Sequence, residues 1–459
     1  MKELLDLVWH FEPFSFVMVM ATGISSDILY SFPYPARWLK ICSYIMFAVA
    51  CIIFLYLQIF AILHMIFYVK KNSFVKYYNH YFRNINHNVF WGTYPMGIVT
   101  LLNFMTNLSQ IDSISHDNAR RLLIFIYIGW WYDVLVSLLC AWGISFLIWQ
   151  KFYSVEYERD ANHQDDLYFT KNIEMAAKNL KTILLLAIVP LVVVASCSAN
   201  FVMTDLFTKT FNRNIQLLTL MVTALIWFHA LIFVFILITI LFWNFYVNKI
   251  PPMSQVFSIF LVLGPLGQGS FGILLLTNDV KKYVSLYYPP AQDNFEYTVL
   301  LITIPWCIKI IGLFLSLALL ASGYFYSIIS VLALLTYHRH SDLTDPNKPK
   351  RLYHFNKGFW AVTFPTGTMS LGSLEVYKQF NPLVPMGAFR VIAVIYACVC
   401  IFWTLLCLIG TAYLYYCGIK NWLQRRNPDE DSMDITMASK ITDDDDPDIE
   451  NNIGDDDLA

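Results

Sequence analysis

The sequence predicts an all-α integral membrane protein with about ten transmembrane helices. Of its 459 residues, 57% are hydrophobic and only 14% are charged, and the mean hydropathy is +0.52. A soluble domain carries about 25% charged residues, so this chain has too little charge to cover a soluble globule. Runs of roughly 20 apolar residues, each long enough to cross a bilayer, recur along the chain. The surface is therefore expected to face lipid.

Ten apolar runs are separated by polar segments. Their approximate limits are 13–32, 38–68, 88–108, 121–150, 181–206, 214–247, 254–278, 297–337, 358–377 and 387–417. The eighth run is long enough to form two spans, which would move the C-terminus to the other side of the membrane. The predicted organisation is an N-terminal segment (1–12), a transmembrane transport domain (13–417) and an acidic tail (418–459). The tail has too few apolar residues to fold by itself.

The distribution of basic residues predicts the orientation. With ten spans, twenty Lys and Arg residues lie in segments on the side of the N-terminus and ten lie on the opposite side. Cytoplasmic loops carry the excess of positive charge, so both termini are predicted to be cytoplasmic. The sequon Asn107-Leu108-Ser109 then lies on the outer side, and Asn107 is a candidate glycosylation site very close to the end of a span.

The odd-numbered spans share a composition. Each contains a proline, and most add glycine and hydroxyl residues near it. Proline in a helix removes a backbone donor and frees a carbonyl that lipid cannot satisfy. We therefore expect five helical hairpins, in which five kinked inner helices surround a central pore and five apolar helices face lipid. The predicted pore-lining residues are Gly23, Ser25, Thr93, Pro95, Gly97, Pro190, Ser196, Pro265, Gly267, Gly269, Ser270, Pro365, Thr366 and Gly367. The alternative is a compact bundle in which small residues only permit close helix packing.

The charged residues of the inner spans suggest which solute could pass. Glu12, Asp27 and Lys181 lie at span ends, and no charge is expected near the middle of an inner span. A cation pathway normally has a ring of carboxylates, and a proton-coupled carrier normally has an acidic or histidine relay. Partial positive charge from N–H and O–H groups instead suits an anion that binds loosely and leaves quickly. The pattern favours an anion pathway.

Three ionisable residues, Asp133, His229 and Lys309, lie inside even-numbered spans. Burying each costs about 2.5–3.5 kcal/mol on insertion scales. One interpretation is a pH- or anion-sensing site beside the pore. The favoured one is an inter-helix clamp, with Asp133 and Lys309 as a candidate pair, because outer helices should not reach the axis.

Other classes of function have little support in the sequence. A membrane enzyme or receptor would be expected to cluster His, Cys or carboxylates at one membrane face, and no such cluster is apparent. We therefore predict no catalytic residue, cofactor or metal site. The net charge of −2 gives no indication of nucleic-acid binding. No Walker motif is present, so no ATP site is expected.

Several long stretches carry a family resemblance. They read GISSDILYSFPYPARWLKICSYIMFA, FWGTYPMG, FNRNIQL, NKIPPM, VLGPLGQGSFG and KGFWAVTFPTGTMSLG. The chain resembles the tellurite-resistance/dicarboxylate transporter family, which also contains the plant slow anion channel, and within it the fungal sulfite efflux pumps. The resemblance covers nearly the whole chain up to the tail. It implies five helical hairpins around a central pore and assembly as a homotrimer.

The resemblance also implies a function. It points to export of sulfite or bisulfite across the plasma membrane through an anion-selective pore, driven by the membrane potential and/or a proton gradient. In channel-like relatives a phenylalanine on the ninth helix closes the pore, and the aligned residue is Phe364 in TFPTG. Ordinary aromatic packing is the alternative role for that ring. Within the family, the alternative function is a proton-coupled dicarboxylate carrier for malate-like substrates.

Overall fold

The structure is a computed structural model that describes residues 11–111, 114–149, 182–251, 255–288, 295–340 and 355–426. These residues form helices and connecting segments, without a strand. The first ten residues of the predicted N-terminal segment, and the predicted tail from residue 427 onwards, lie outside the described ranges.

Ten long helices occur in the described part of the chain. They are α1 (Val17–Tyr30), α2 (Arg37–Asn72), α3 (Thr93–Ser109), α4 (His116–Leu138, continued by a π-helical segment Leu139–Ile144), α5 (Leu185–Val202), α6 (Arg213–Asn248), α7 (Leu263–Tyr287), α8 (Phe295–His340), α9 (Thr363–Phe380) and α10 (Gly387–Arg426). Shorter helices lie at Phe74–Tyr81, Ile85–Asn88 and Asp205–Thr210. The long helices follow the ten apolar runs of the sequence.

Burial separates the long helices into two sets. The helices differ in the buried share of their most apolar 18-residue stretch, counted together with the turn before it. This share is 78%, 89% and 100% in α1, α5 and α7, but only 22–33% in α2, α4, α6, α8 and α10. Large apolar side chains such as Ile52, Leu225 and Phe314 stand exposed on the second set. Exposed apolar surface on this scale requires lipid, so the odd-numbered helices are inner and the even-numbered helices are outer.

The inner helices form a closed ring within residues 11–405. Each packs against the next in chain order, α1 on α3, α3 on α5, α5 on α7 and α7 on α9, and α9 packs back on α1. Each outer helix lies over the groove between two inner neighbours. Thus α2 contacts α1 and α3, α4 contacts α3 and α5, α6 contacts α5 and α7, and α8 contacts α7 and α9. The fivefold repeat of hairpins follows from this packing.

Helix α10 completes the pattern through side-chain contacts to α9 and α1. The Ser370 hydroxyl on α9 donates to the Ala393 carbonyl at 2.8 Å. The Ser25 hydroxyl on α1 donates to Thr404 Oγ1 at 3.0 Å. Both contacts bind α10 to the inner ring in a setting where an unpaired hydroxyl would be costly.

Every inner helix begins with tighter winding. Short 3₁₀ segments, Pro13–Phe16, Val89–Gly92, Thr182–Leu184, Val256–Val262 and Lys357–Val362, precede α1, α3, α5, α7 and α9. Pro95, Pro265 and Pro365 each occupy the third position of an α-helix, where the N–H group has no intrahelical partner to lose. Only Pro190, in α5, lies further inside. The prolines of α3, α7 and α9 therefore mark the change from 3₁₀ to α winding.

Eight helices are long and apolar enough by themselves to cross a membrane in the described part of the chain. The other two long helices are the inner helices α3, with 17 residues, and α9, whose residues are more polar. The count of ten spans therefore stays a prediction. The eighth run is one continuous helix of 46 residues that passes through Pro305. At 1.5 Å per residue it is about 69 Å long, so it extends beyond the hydrocarbon.

Candidate functional site

A cavity of about 410 Å³ lies where the inner helices begin. All five 3₁₀ segments or the first turns after them contribute to its wall, through residues such as Phe14, Phe90, Ile183, Leu261 and Trp360. Most of the wall is apolar. The polar groups that line it are Glu12, His87, Gln255, Ser258 and Lys357.

Contacts between neighbouring 3₁₀ segments and first turns hold the mouth of this cavity together. Two are aromatic contacts, Phe14 with Phe90 (ring centroids 5.2 Å apart) and Phe257 with Phe359 (ring centroids 4.4 Å apart). Gly92 packs against the carbonyl of Leu186, and the Thr182 hydroxyl donates to Ser258 Oγ at 2.6 Å. The last contact is an ion pair between Lys357 Nζ and Glu12 Oε2 at 2.5 Å. Each contact joins successive members of the ring, and the last one closes it. The cavity therefore lies on the central axis of the ring that the five inner helices form.

The electrostatics of the cavity favour an anion. A helix N-terminus carries about half a positive elementary charge from its unpaired N–H groups, and five of them converge here. Burial, reinforced by His80 and Lys357, lowers the pKa of His87, so this imidazole is neutral at physiological pH. Lys357 is two-thirds exposed and its partner Glu12 is 40% exposed. Such an exposed pair contributes only about 0–1 kcal/mol, so the lysine is available to an entering anion.

The next layer beyond the cavity contains Phe364. Ala361 lines the cavity, and Phe364 lies three residues further on, in the first turn of α9. Its ring is 3% exposed, and no aromatic ring pairs with it within the described ranges. Gly264 belongs to the same layer of α7, and a methyl group there would have Pro365 Cγ, at 3.9 Å, as its nearest contact. The layer therefore contains a buried ring and, at Gly264, a position where an added methyl group would make only an ordinary van der Waals contact with Pro365.

The predicted pore-lining glycines mostly face other helices. A methyl group at Gly23 would collide with Thr100, one at Gly97 would touch Val19, and one at Gly267 would lie 2.6 Å from the Met369 nitrogen. These three glycines allow the backbones of α1, α3, α7 and α9 to approach closely.

Two further predicted glycines face outer helices as well as the ring. A methyl group at Gly269 would lie 3.1 Å from Leu231 on α6, and one at Gly367 would lie 2.8 Å from Ile24 on α1 and 3.1 Å from Cys400 on α10. Close packing, the alternative interpretation, describes the contacts of all five predicted glycines. Whether any of them also borders the axis stays a prediction.

The predicted hydroxyls are engaged within the protein. Thr93 and Thr366 donate to carbonyls of their own preceding turn, Phe90 at 2.7 Å and Val362 at 2.8 Å. Ser270 bonds Ser316 of α8 at 2.7 Å. The Ser270 contact to α8 and the Ser25 contact to α10 fasten inner helices to outer helices.

Ser196 joins two inner helices. Its hydroxyl donates to Val193 at 2.7 Å and accepts from the amide of Gln268, which is 2% exposed. The carbonyl oxygen of Gln268 has no hydrogen-bond partner among the described residues. Gln268 therefore places a buried polar group at the α5–α7 junction that the sequence did not single out.

The ionisable residues of the outer helices have separate partners. Asp133 accepts from Ser137 at 3.4 Å, while Lys309 donates to Asn278 at 3.1 Å and lies 5.3 Å from the Phe380 ring. The candidate pair of Asp133 with Lys309 is therefore wrong, because the two side chains bond different partners on different sides of the ring.

His229 behaves as an inter-helix clamp. The Trp142 indole, in the π-helical segment that continues α4, donates to His229 Nε2 on α6 at 2.9 Å. The wider π-helical turn presents the indole to the next outer helix. The clamp thus joins two outer helices.

Polar side chains also join inner helices near their C-terminal ends. The contacts are Asn107 Nδ2 to Asp27 Oδ1 (3.4 Å), Asn200 Nδ2 to Asn103 Oδ1 (3.3 Å), Lys282 Nζ to the Met203 carbonyl (2.9 Å) and Gln379 Nε2 to the Leu274 carbonyl (3.1 Å). Asn107 is half-buried inside α3 and engaged with α1. Its glycosylation, which this contact disfavours, stays a prediction.

Three buried carboxyl groups lie in the C-terminal halves of inner helices, where only Asp27 was expected from the sequence. Asp27, Asp279 and Glu375 are 6%, 1% and 6% exposed, within α1, α7 and α9. The predicted seventh span ended one residue before Asp279, whereas α7 continues to Tyr287. Glu375 lies inside the predicted ninth span, so its residue type alone could have marked it.

Comparison with known proteins shows the family of this chain. Residues 10–412 match the family described as SLAC1, voltage-dependent anion channel. The chain belongs to the voltage-dependent anion channel family. As a member of this family, it is a multi-pass membrane protein.

Relatives within the voltage-dependent anion channel family are named sulfite efflux pump SSU1. The one from Saccharomyces cerevisiae is 55% identical over 413 residues, which cover 90% of this chain and 89% of the relative. The one from Candida albicans is 30% identical over 425 residues, covering 92% and 78%. The one from Arthroderma otae is 25% identical over 381 residues, covering 82% and 84%. The similarity extends over nearly the whole membrane-embedded part.

Proposed function

We propose that this protein exports sulfite and its monoanion bisulfite from the cell through an anion-selective pathway along the axis of the inner ring. The cavity at the five inner helix N-termini carries the proposal, because partial positive charges converge there on a mostly apolar chamber. The substrate is taken from the relatives named sulfite efflux pumps. An inside-negative membrane potential favours anion exit by about 2.3 kcal/mol per charge per 100 mV.

The pathway is proposed to begin at the cavity, pass the layer of Phe364 and Gly264, and leave at the C-terminal ends of the inner helices. Phe364 would close it with its buried ring. The pore-lining role of the predicted inner residues, from Gly23 to Gly367, is part of this proposal. The proposal also assigns the protein a transport role rather than a catalytic one.

The orientation and assembly also belong to the proposal. The excess of basic residues on the side of the N-terminus supports cytoplasmic termini, so the cavity would open to the cytoplasm of a cell in whose plasma membrane the protein resides. A transmembrane domain over 13–417, a cytoplasmic tail and a homotrimer complete the proposed organisation. The mass of the solubilised particle would test the trimer.

Purified protein in liposomes loaded with sulfite tests the function. We expect sulfite efflux that follows an imposed potential and is absent from protein-free liposomes. Clamping voltage and pH separately distinguishes a channel from proton-coupled export. Folded, monodisperse protein that releases no sulfite under any gradient would exclude the proposed function.

The dicarboxylate carrier is the weaker alternative. Two carboxylates on one substrate call for at least two cationic groups, and among the residues that line the cavity Lys357 is the single lysine or arginine. Malate release from the same liposomes would measure this activity directly.

Neutralising Lys357 is expected to slow anion entry. We expect Lys357→Gln to lower sulfite flux by about two- to fivefold, the effect of a surface charge contribution of about 0.5–1 kcal/mol. The loss should shrink at high ionic strength, since Lys357 is exposed and salt screens it. Glu12→Gln should act in the opposite direction by releasing the lysine.

Lys378→Gln is the matched control, because Lys378 is an exposed lysine near the far end of α9. Equal losses in the Lys357 and Lys378 variants, or a loss that ionic strength does not change, would show that the cavity lysine does not attract the anion.

A further inference from the structure

Asp279 is the most isolated carboxyl group in the inner ring. It is 1% exposed on α7, and neither of its carboxyl oxygens has a hydrogen-bond partner among the described residues. An ionised carboxylate in such a place costs several kcal/mol, and a group so placed takes up a proton instead.

The lysine of α7 that acts electrostatically on Asp279 bonds other groups. Lys282 donates to Asp205 Oδ1 at 2.7 Å and to the Met203 carbonyl at 2.9 Å. Asp205 lies outside the spans, and its hydrogen bond from Lys282 lowers its pKa, so this ion pair persists into the acidic range. Lys282 therefore acts on Asp279 only through space.

The next inner helix adds a second buried carboxyl group. Glu375 on α9 is 6% exposed, accepts from Gln379 at 2.7 Å and lies close enough to act on Asp279 electrostatically. Lys309 on α8 is within the electrostatic range of Glu375 and bonds Asn278, the residue before Asp279. Glu375 thus has a hydrogen-bond donor, whereas Asp279 has none among the described residues, and Lys309 and Lys282 act on the two carboxyl groups only through space.

The other elements around this pair supply few charges. Among the described residues, α5 contributes no charged side chain at this end, α1 contributes Asp27, which is held by Asn107, α6 contributes Arg213 on Tyr283, and α10 contributes Arg390 on the rings of Tyr34 and Tyr377. On α7 itself, Lys281 lies over the Trp306 ring at 3.4 Å. No described cation bonds Asp279.

We propose that Asp279, with Glu375 on the neighbouring helix α9, holds one proton at the outer end of the pathway, and that loss of this proton to the external solution stops anion exit. With the proton bound, Asp279 is uncharged and Glu375 is the carboxylate of the pair. Without it, Asp279 adds one more negative charge, which repels an outgoing anion in a low-dielectric setting. Two neighbouring carboxyl groups with one proton between them are a recognised way to hold a proton at neutral pH.

This inference depends on the proposed function and orientation, and it predicts that efflux weakens as the external pH rises. The test uses full-length protein in sulfite-loaded liposomes at clamped voltage, with the external pH varied from acidic to alkaline. Because sulfite itself changes protonation state, the measured quantity is the ratio of variant to wild-type flux at each pH. Speciation affects both proteins equally and cancels.

For Asp279→Asn, we expect this ratio to rise with external pH, by up to about tenfold per pH unit, the limit for one titrating proton. Asp117→Asn, an exposed aspartate in the first turn of α4 at the same end of the bundle, is the matched control and should keep a constant ratio. A constant ratio for Asp279→Asn would overturn the inference while leaving the proposed function intact.

A second variant keeps the test decisive if Asp279→Asn does not fold. Glu375→Gln removes the negative charge that opposes ionisation of Asp279, so the midpoint of the external-pH dependence should move to lower pH. An unchanged midpoint would overturn the inference. Absence of sulfite flux from the wild type at every pH would instead count against the proposed function itself.

Discussion

Replacing Phe364 with alanine is expected to open the pathway and raise basal anion leak. The ring lies one turn beyond the cavity and is 3% exposed. Removing a steric barrier worth about 1.4 kcal/mol or more gives at least about a tenfold faster flux. Current across a planar bilayer, or sulfite efflux from liposomes without an imposed gradient of pH, measures it.

A phenylalanine that packs against an outer helix serves as the control, because its removal loosens the packing without removing the proposed gate. Phe104 on α3 is fully buried and stacks on Phe47 of α2 with ring centroids 4.3 Å apart. Phe104→Ala should cost about 3–5 kcal/mol of stability as a core truncation without raising the leak. An equal leak in both variants would point to general loosening, and an unchanged conductance in well-expressed Phe364→Ala protein would remove this ring as the gate.

The second large effect concerns the α7–α9 contact. Gly267→Ala would place a methyl group 2.6 Å from the Met369 nitrogen and from the Thr368 carbonyl carbon, both of which are backbone atoms of a neighbouring inner helix. Flexible side chains can yield to an added methyl at about 1–3 kcal/mol, but here two helices must separate. We expect a larger loss, seen as little folded protein after solubilisation or a strongly lowered Tm.

Gly264→Ala is the matched control, three residues earlier on the same helix. Its added methyl group would come no closer than 3.9 Å to a neighbouring atom. The variant should fold normally, with a gain of up to about 1 kcal/mol from reduced freedom of the unfolded chain. If both alanine variants are equally stable, the contact between α7 and α9 is looser than the structure shows.

The division into inner and outer helices could be predicted from residue types. Proline, glycine and hydroxyl residues recur in the odd-numbered runs because lipid cannot satisfy irregular or polar backbone. Continuous apolar composition in the even-numbered runs is typical of a surface that meets acyl chains. The ring order then follows the chain order, because consecutive elements are usually neighbours in space.

The roles of individual residues were harder to predict. Gly267 and Ser270 belong to one motif, yet the first meets α9 and the second bonds α8. Which face each side chain occupies depends on the rotation of the helix about its own axis, and tertiary packing sets that rotation. Composition therefore identified a small-residue helix but not which of its residues border the axis.

By itself, the sequence determined the membrane class, the five hairpins and the segregation of proline-bearing helices from apolar ones, because these follow from the free energy of placing each residue type in lipid. Only the tertiary structure decided that five helix N-termini converge on one cavity and that Lys309 donates to Asn278 rather than pairing with Asp133. It also decided that Asp279 is buried within electrostatic range of Glu375. The electrostatic effect of a charge depends on its distances to other groups and on its removal from water. Residues far apart in sequence acquire those distances only when the ring closes.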